Sequence, residues 1–434
     1  MTATLVAILS LAVLGFPIAL NADRRSRGAM LIGAAYLYGS GAMFFVLLAL
    51  SVVHLRWSLV SVTITALAVF TFATLMIKRP ESPGPSRPPK PHVLDLLTLL
   101  TLTGYAFYAT LAPLWEWDFW AIWGLKAKTF IEIAAIDWRF LERPWNSFTH
   151  PDYPLLVPLN FDFVAMVGGG WSDRWLGLLF VAWGIALLLI VRALAARETS
   201  PCVAALLTLT LAAFCVSRYV GLAEGALIAF GSAGVLFIRA ALRDDDAPSW
   251  RNGALMLGLA ANCKNEGLTL LFAVTIAVLL FYRKQAIRLW PAFALAAPWL
   301  LLRATHALPT DLVAGSAMSR VLSRLPESTA IFAFIATHLY QPWLWVAILC
   351  GVLIAPAAAR RRERFVLLVT AIQLVFFIAA YFATPFTVPW HVMTSWPRLT
   401  RQIAVPITFV VFVMLANSLR RGQDAPHAEA RPDE

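Results

Sequence analysis

The chain has 434 residues, 60% of them hydrophobic and 14% charged, with a net charge of +11 and a mean hydropathy of +0.73. A soluble domain usually carries about 25% charged residues, so a water-soluble fold is excluded and an all-α polytopic membrane protein is expected. The positive balance does not point to nucleic acid, because no basic domain carries it and membrane proteins collect Lys and Arg on cytoplasmic loops anyway.

The first apolar run, MTATLVAILSLAVLGFPIAL, has no basic residue ahead of it and DRRSR behind it. That order predicts an uncleaved first helix with its N-terminus outside, not a secretory signal. A crossing needs about 20 apolar residues, fewer where protein shelters the helix. Candidate spans lie at 3–21, 28–53, 57–77, 93–114, 171–191, 201–217, 222–240, 252–263, 267–282, 288–305, 331–357, 365–383 and 402–419, which makes about thirteen transmembrane helices. With the N-terminus outside, every inward connection is basic, from Arg24, Arg25 and Arg27 through Arg360 to Arg364 and the tail from Arg420. The positive-inside rule asks for that pattern.

The segment KRPESPGPSRPPKP, within 78–92, reads as a Pro-rich cytoplasmic linker that separates a three-helix module at 1–77 from a body at 93–419. The tail at 420–434 reads as disordered and cytoplasmic. Three outward loops, 115–170, 306–330 and 384–401, hold Trp, Asp, His and Arg, the first with short interfacial helices expected in it. Chemistry is therefore expected at the outer face. Cys202, Cys215, Cys263 and Cys350 stand singly, without metal-ligand spacing, and read as small buried hydrophobes.

Glu116 and Asp118 follow a span directly, at a depth where a carboxylate meets both a lipid-borne and a water-borne substrate and can take a proton from a hydroxyl. Lys126 and Lys128 come within roughly three turns, suited to a phosphate or to snorkelling toward headgroups. The tryptophans at 115, 117, 120 and 123 fit an interfacial belt. A belt gains nothing from an acid set between two of them. In HPDYPLLVP three prolines predict an extended, rigid backbone that brings His150, Asp152 and Tyr153 either to a sugar or phosphate pocket or to helix caps. Asp152 is a second candidate base. Glu224 opens a span, as pocket residue or dipole partner. Lys264 and Glu266 join two short helices, as a mutual salt bridge or as substrate contacts. In WHVMTSWPRLTRQ, His391 precedes Arg398 and Arg401, which are three residues apart, on one helical face and suited to phosphate.

WDFWAIWGLKAK, HPDYPLLVPL, the GLAEG span, CKNEGL and WHVMTSWPRLTRQ, in that order, resemble the bacterial membrane glycosyltransferases of the GT-C superfamily. That broad group includes protein mannosyltransferases and the aminoarabinose transferase of lipid A. The resemblance covers roughly 93–419 and implies a GT-C-like fold in the bacterial inner membrane. It implies sugar transfer, with inversion, from a polyprenyl-phosphate donor to a lipid, glycan or protein acceptor at the periplasmic face. Asp118 matches the acid that activates the acceptor, while Lys126, Lys128, Arg398 and Arg401 would hold donor phosphate. A need for Mg or Mn stays open. Two other readings are a polyprenyl-diphosphate-dependent glycan ligase, which should show one dominant outer loop, and a transporter or flippase. The latter would place ionisable groups near the bilayer midplane in broken helices.

Overall fold

The structure, a computed structural model, describes residues 1–77, 90–308, 310, 316–339 and 341–424, except the side chains of 420–424. Most of the linker at 78–92, part of the loop at 306–330 and the tail from 425 lie outside the described residues. Among the described residues every regular element is helical.

Helices α1 (Thr2–Ala22) and α2 (Gly28–Val52) pack antiparallel at close range. A Cβ on Gly39 would stand 1.6 Å from Leu11 O, and one on Gly15 1.9 Å from Ala35 O. Only glycine lets two backbones approach so near. Helix α3 (Leu59–Leu75) returns along α1, where Asn21 Nδ2 donates to Ala73 O at 2.6 Å. These three helices do not stand apart as a module. Mid-α2, Ser40 Oγ donates to Asn160 Oδ1 (2.8 Å) and accepts from Trp183 Nε1 (3.0 Å), and Tyr38 Oη donates to Asn252 Oδ1 (2.6 Å). Buried polar groups must be paired, so these bonds fix α2 inside the body.

The body continues as α4 (Val93–Leu111), α5 (Gly124–Ile133), α6 (Trp138–Glu142), α7 (Leu156–Val167), α8 (Gly177–Ala195), α9 (Pro201–Leu211) and α10 (Glu224–Asp244). Then come α11 (Ala247–Ala260), α12 (Asn265–Tyr282), α13 (Trp290–Thr305), α14 (Ala317–Arg324), α15 (Ser328–Thr337), α16 (Pro342–Ile354), α17 (Ala357–Arg362), α18 (Arg364–Ala383) and α19 (Val388–Asp424). Among the described residues eight elements are long and apolar enough to cross a membrane, nine if the bent α14–α16 segment is one span; α3, α7 and α9 with its extension to Val216 are shorter apolar helices. One of the eight is the stretch from Asn265 to Thr305, which as one straight helix would run about 60 Å. Yet Asn265 Nδ2 lies 2.7 Å, and Arg303 Nη1 3.9 Å, from the same Asp152 Oδ2. The stretch therefore folds back at Arg283–Leu289, and α12 and α13 run in opposite directions.

The bundle has two polar ends. At one, Arg239 near the end of α10 binds Glu198 after α8 and Glu363 before α18; Arg192 of α8 binds Asp95 of α4; and Arg25 after α1 binds Asp246 before α11. At the other, about 22 Å away along α10, Glu224 meets Lys264 before α12 and Arg398 of α19.

Five further expectations change. The HPDYPLLVP stretch is extended only in part, because α7 begins at Leu156 and takes in Pro158. In a first helical turn a missing N–H leaves no bond unmade. Helix α7 then dips among α1, α2 and α5, so the first outer loop is not wholly interfacial. The loop expected at 384–401 is mostly helix, since α19 starts at Val388 and carries Pro397 and Pro406 inside it; a bundle can re-satisfy the carbonyl each proline frees. The same helix runs through Asp424, beyond the expected start of the tail. Cys215 and Cys263 are buried as expected, but Cys202 and Cys350 are exposed.

Candidate active site

Helix α4 stops at Leu111, before Pro113, and Leu114 N donates to Asp173 O at 3.2 Å. The chain then turns at Glu116, whose carbonyl accepts from Phe119 N and Trp120 N, and enters a π-helical turn, Phe119–Trp123. Such turns are rare and frequently mark functional sites. Phe119 is buried between the rings of Phe161 and Trp171, at 5.7 and 6.3 Å, and pins the residue next to Asp118. Gly221, at φ +88°, lets the segment before α10 pass close by; a Cβ there would meet Phe119 Cβ at 3.2 Å and Glu116 Cβ at 3.5 Å.

Asp118 Oδ2 accepts from Arg398 Nη1 at 2.5 Å, across 280 residues of sequence. Arg398 Nε faces Glu224 Oε1 at 3.7 Å; Glu224 Oε1 accepts from Lys264 Nζ at 2.9 Å; and Lys264 Nζ lies 2.8 Å from Glu266 Oε1. The result is a row of alternating charge, Asp118, Arg398, Glu224, Lys264, Glu266, closed inward at Glu224 (0% exposed) and open at Asp118 (16%) and Arg398 (22%). Three carboxylates face two cations. Glu116 adds a fourth acid beside the row, and partial burial, reinforced by Asp118 and Glu224 and opposed by Arg398, holds its carboxyl above the ordinary range.

Unused hydrogen-bonding capacity collects here. Glu224 Oε2, Glu266 Oε2, Asn265 Oδ1, His391 Nδ1 and both ends of the Gln402 amide are buried without a hydrogen-bond partner among the described residues. In folded proteins such atoms are few and mark strain, function or a polar occupant.

The other candidates are placed differently. Asp152 is 2% exposed and tied down: it accepts from Asn265 Nδ2, stands 3.9 Å from Arg303, and its carbonyl accepts from Trp299 Nε1 at 3.3 Å. Tyr153 stacks on Trp123 (5.5 Å) and His150 (4.7 Å), with Lys126 Nζ and Lys264 Nζ 5.8 and 5.9 Å from its ring centroid. It is the wall between the row and Lys126. Lys126 itself is fully buried and donates to His150 O at 2.5 Å, so it presents no ammonium to a phosphate at the row. Burial pulls its pKa down to about 7, against a smaller upward pull from Asp152. Lys128 points elsewhere, pairing with Asp173 at 3.3 Å and covering Trp171. Arg401 is buried over the Tyr219 ring, 5.5 Å from its centroid. Of the four expected phosphate ligands only Arg398 stands in the row. His391 lies against Tyr381, 5.0 Å between ring centroids.

Gly221, Arg303 and Trp299 go unremarked in the sequence, where each looks like an ordinary residue of an apolar stretch. Gly221, in VGLAEG beside Glu224, had the nearest thing to a signal. No group of three His, Cys, Asp or Glu among the described residues could hold a metal ion. Set against known proteins, the chain matches no family model, no curated protein and no solved structure.

Proposed function

We propose that the chain is an integral membrane glycosyltransferase that takes a sugar from a polyprenyl-phosphate donor and passes it, with inversion, to a lipid, glycan or protein hydroxyl at the outer face of a bacterial inner membrane. The observation that carries this reading is the 2.5 Å pair of Asp118 and Arg398, partly open to solvent at the end of the bundle away from the basic connections. An acid and an anion receptor sharing one opening are what such a transfer needs.

In the resting pair Arg398 neutralises Asp118. Donor phosphate competes for the guanidinium, which binds phosphate and carboxylate by the same forked geometry. As Arg398 turns to the phosphate, Asp118 is released as a base. It takes the acceptor hydroxyl's proton; the acceptor oxygen bonds to the anomeric carbon; the bond from that carbon to the phosphate oxygen breaks; and polyprenyl phosphate leaves with both electrons, held by Arg398. Glu224 and Lys264 keep Arg398 in place, and the unpaired polar atoms below are suited to the hydroxyls of a sugar.

With the end contacts as guide, α1, α2, α3, α4, α8, α9, α10, α11, α12, α13, the α15–α16 segment, α18 and α19 each run between the two ends, thirteen crossings in this reading. The N-terminus is then outside and the C-terminus cytoplasmic. The ion-paired groups stand at the two ends of the bundle, which favours an enzyme over a carrier, although Asp162 of α7 is buried without a hydrogen-bond partner among the described residues. The test is to incubate purified protein with a panel of polyprenyl-phosphate sugars and measure release of polyprenyl phosphate. No release with any donor, alongside uptake of a lipid-linked sugar into vesicles, would replace this reading by transport. Single cysteines at 118 and 361 should label from opposite sides of the membrane, and labelling from one side would overturn the topology.

A further inference from the structure

A groove of about 550 Å³ runs between α4 and α8, with Thr208 of α9 also lining it and no residue of the charged row in its walls. Its walls are apolar: Leu99, Leu102 and Ala106 of α4 and Val181, Ile185 and Leu188 of α8. Leu99 and Ile185 are 59% and 37% exposed, so the walls are open to whatever surrounds the bundle. Its charged lining is confined to the inner end, where Asp95 and Arg192 stand beside Pro91; the other polar groups along it are the hydroxyls of Thr98, Thr103 and Thr208.

At that end Arg192 binds Asp95 through Nε (2.9 Å) and Nη2 (3.1 Å) and donates from Nη2 to Lys90 O (2.9 Å). The side chain is 9% exposed, and its third nitrogen, Nη1, is buried with no hydrogen-bond partner among the described residues. Lys90 is exposed beside it. Two cations against one carboxylate leave this end with a charge of +1. From Asp95 to Ala106 the groove follows α4 for about 16 Å, the depth of one leaflet of a hydrocarbon core about 30 Å thick. It opens at the end of the bundle that carries the basic connections, which belongs at the cytoplasmic surface.

We propose that the groove is a specific site for an anionic glycerophospholipid of the cytoplasmic leaflet. One acyl chain lies along α4 and α8, and the headgroup phosphate meets Lys90 and Arg192. Depth matches one acyl chain, and a charge of +1 selects a headgroup of net −1 over a zwitterionic one. The site is independent of the outer row and does not rest on sugar transfer.

The full chain in detergent is titrated with phosphatidylglycerol and, separately, with phosphatidylcholine of the same chains, reading thermal unfolding and retained lipid by native mass spectrometry. Phosphatidylglycerol is expected to raise the melting temperature and stay bound, with phosphatidylcholine at least about tenfold weaker. Ile185→Trp, which fills the groove, should weaken phosphatidylglycerol about tenfold while the lipid-free protein melts as before. Lys90→Glu should abolish the preference between the two lipids. Leu301→Trp, at an exposed apolar position of α13, should change nothing. Arg192 is left intact, since its removal would strand Asp95. Equal binding of the two lipids, undiminished binding by Ile185→Trp, an equal loss in Leu301→Trp, or displacement by a polyprenyl phosphate at lower concentration would each overturn the proposal.

Discussion

Arg239 and Arg398 stand at opposite ends of the bundle, each among carboxylates, and differ in how completely those carboxylates are matched. Arg239 spends every nitrogen: Nε and Nη2 on Glu363 at 2.6 and 2.5 Å, Nη1 and Nη2 on Glu198 at 2.7 and 2.8 Å. All three side chains are at most 8% exposed, and none of their polar atoms is left without a partner. Arg398 makes one short bond, leaves Nε 3.7 Å from Glu224, and is open to water. Its neighbours Glu224 and Glu266 each keep an oxygen unpaired. A closed network can only hold helices together, here α10 to α18 and to the chain after α8. An open network with surplus acceptors has somewhere for a ligand to bind.

If that contrast is right, the two ends respond differently to the same operation. Arg239→Ala should cost the most, about 3–5 kcal/mol of stability, because buried Glu363 loses its partner and Glu198 keeps only Arg243; thermal unfolding in detergent reads it. A melting temperature close to wild type would show that the Arg239 network does not hold the bundle. Asp118→Asn keeps the shape of the pair and removes the base. It should leave the melting temperature within a few degrees and cut transfer about 10²–10⁴-fold, and turnover near wild type would remove Asp118 from that role. Arg398→Ala should act on the donor alone, with about 1.5–3 kcal/mol lost, a ten- to hundredfold rise in the donor concentration needed and an unchanged acceptor requirement. An acceptor requirement that rose equally would make Arg398 a scaffold for both substrates.

Much of the architecture was legible because hydropathy and charge act over long stretches. The helical, membrane-type composition and the basic connections at one end follow from solvation alone. The meeting of Asp118, Glu224, Lys264 and Arg398 could be anticipated because charge beside apolar spans is costly and must find partners. Legibility failed where local chemistry was ambiguous. Lys126 and Lys128 sit two residues apart on one short helix, and only the packing of Tyr153 and Trp123 decides that one is buried and the other faces water. The prolines of HPDYPLLVP suggested extension, yet Pro158 falls where a helix tolerates proline. The three leading helices looked detachable because the linker interrupts the chain, whereas the Ser40–Asn160 and Tyr38–Asn252 bonds that bind α2 to the body join residues more than 100 apart, beyond any local pattern.

Lys126 sharpens the contrast from a third side, as a buried cation with no carboxylate in contact. Its ammonium is held by one carbonyl and lies over the rings of Trp123 and Tyr153, at 5.6 and 5.8 Å. Burial brings its pKa from 10.5 to about 7, whereas the unfolded chain keeps the ordinary lysine value. Below about pH 7 both states carry the proton and pH has no effect through this group. Between about 7 and 10.5 the unfolded state binds the proton and the folded state has lost it, so stability rises with pH across that window. Lys126→Met removes the titration while keeping most of the apolar stem. The difference between wild-type and variant melting temperatures should therefore favour the variant most at pH 6 and shrink steadily toward pH 9. Subtracting one curve from the other cancels the groups that titrate in both. A difference that stayed flat would mean that the folded protein keeps Lys126 charged throughout, and that its one carbonyl and two rings solvate an ammonium as well as the paired carboxylates do around Arg239.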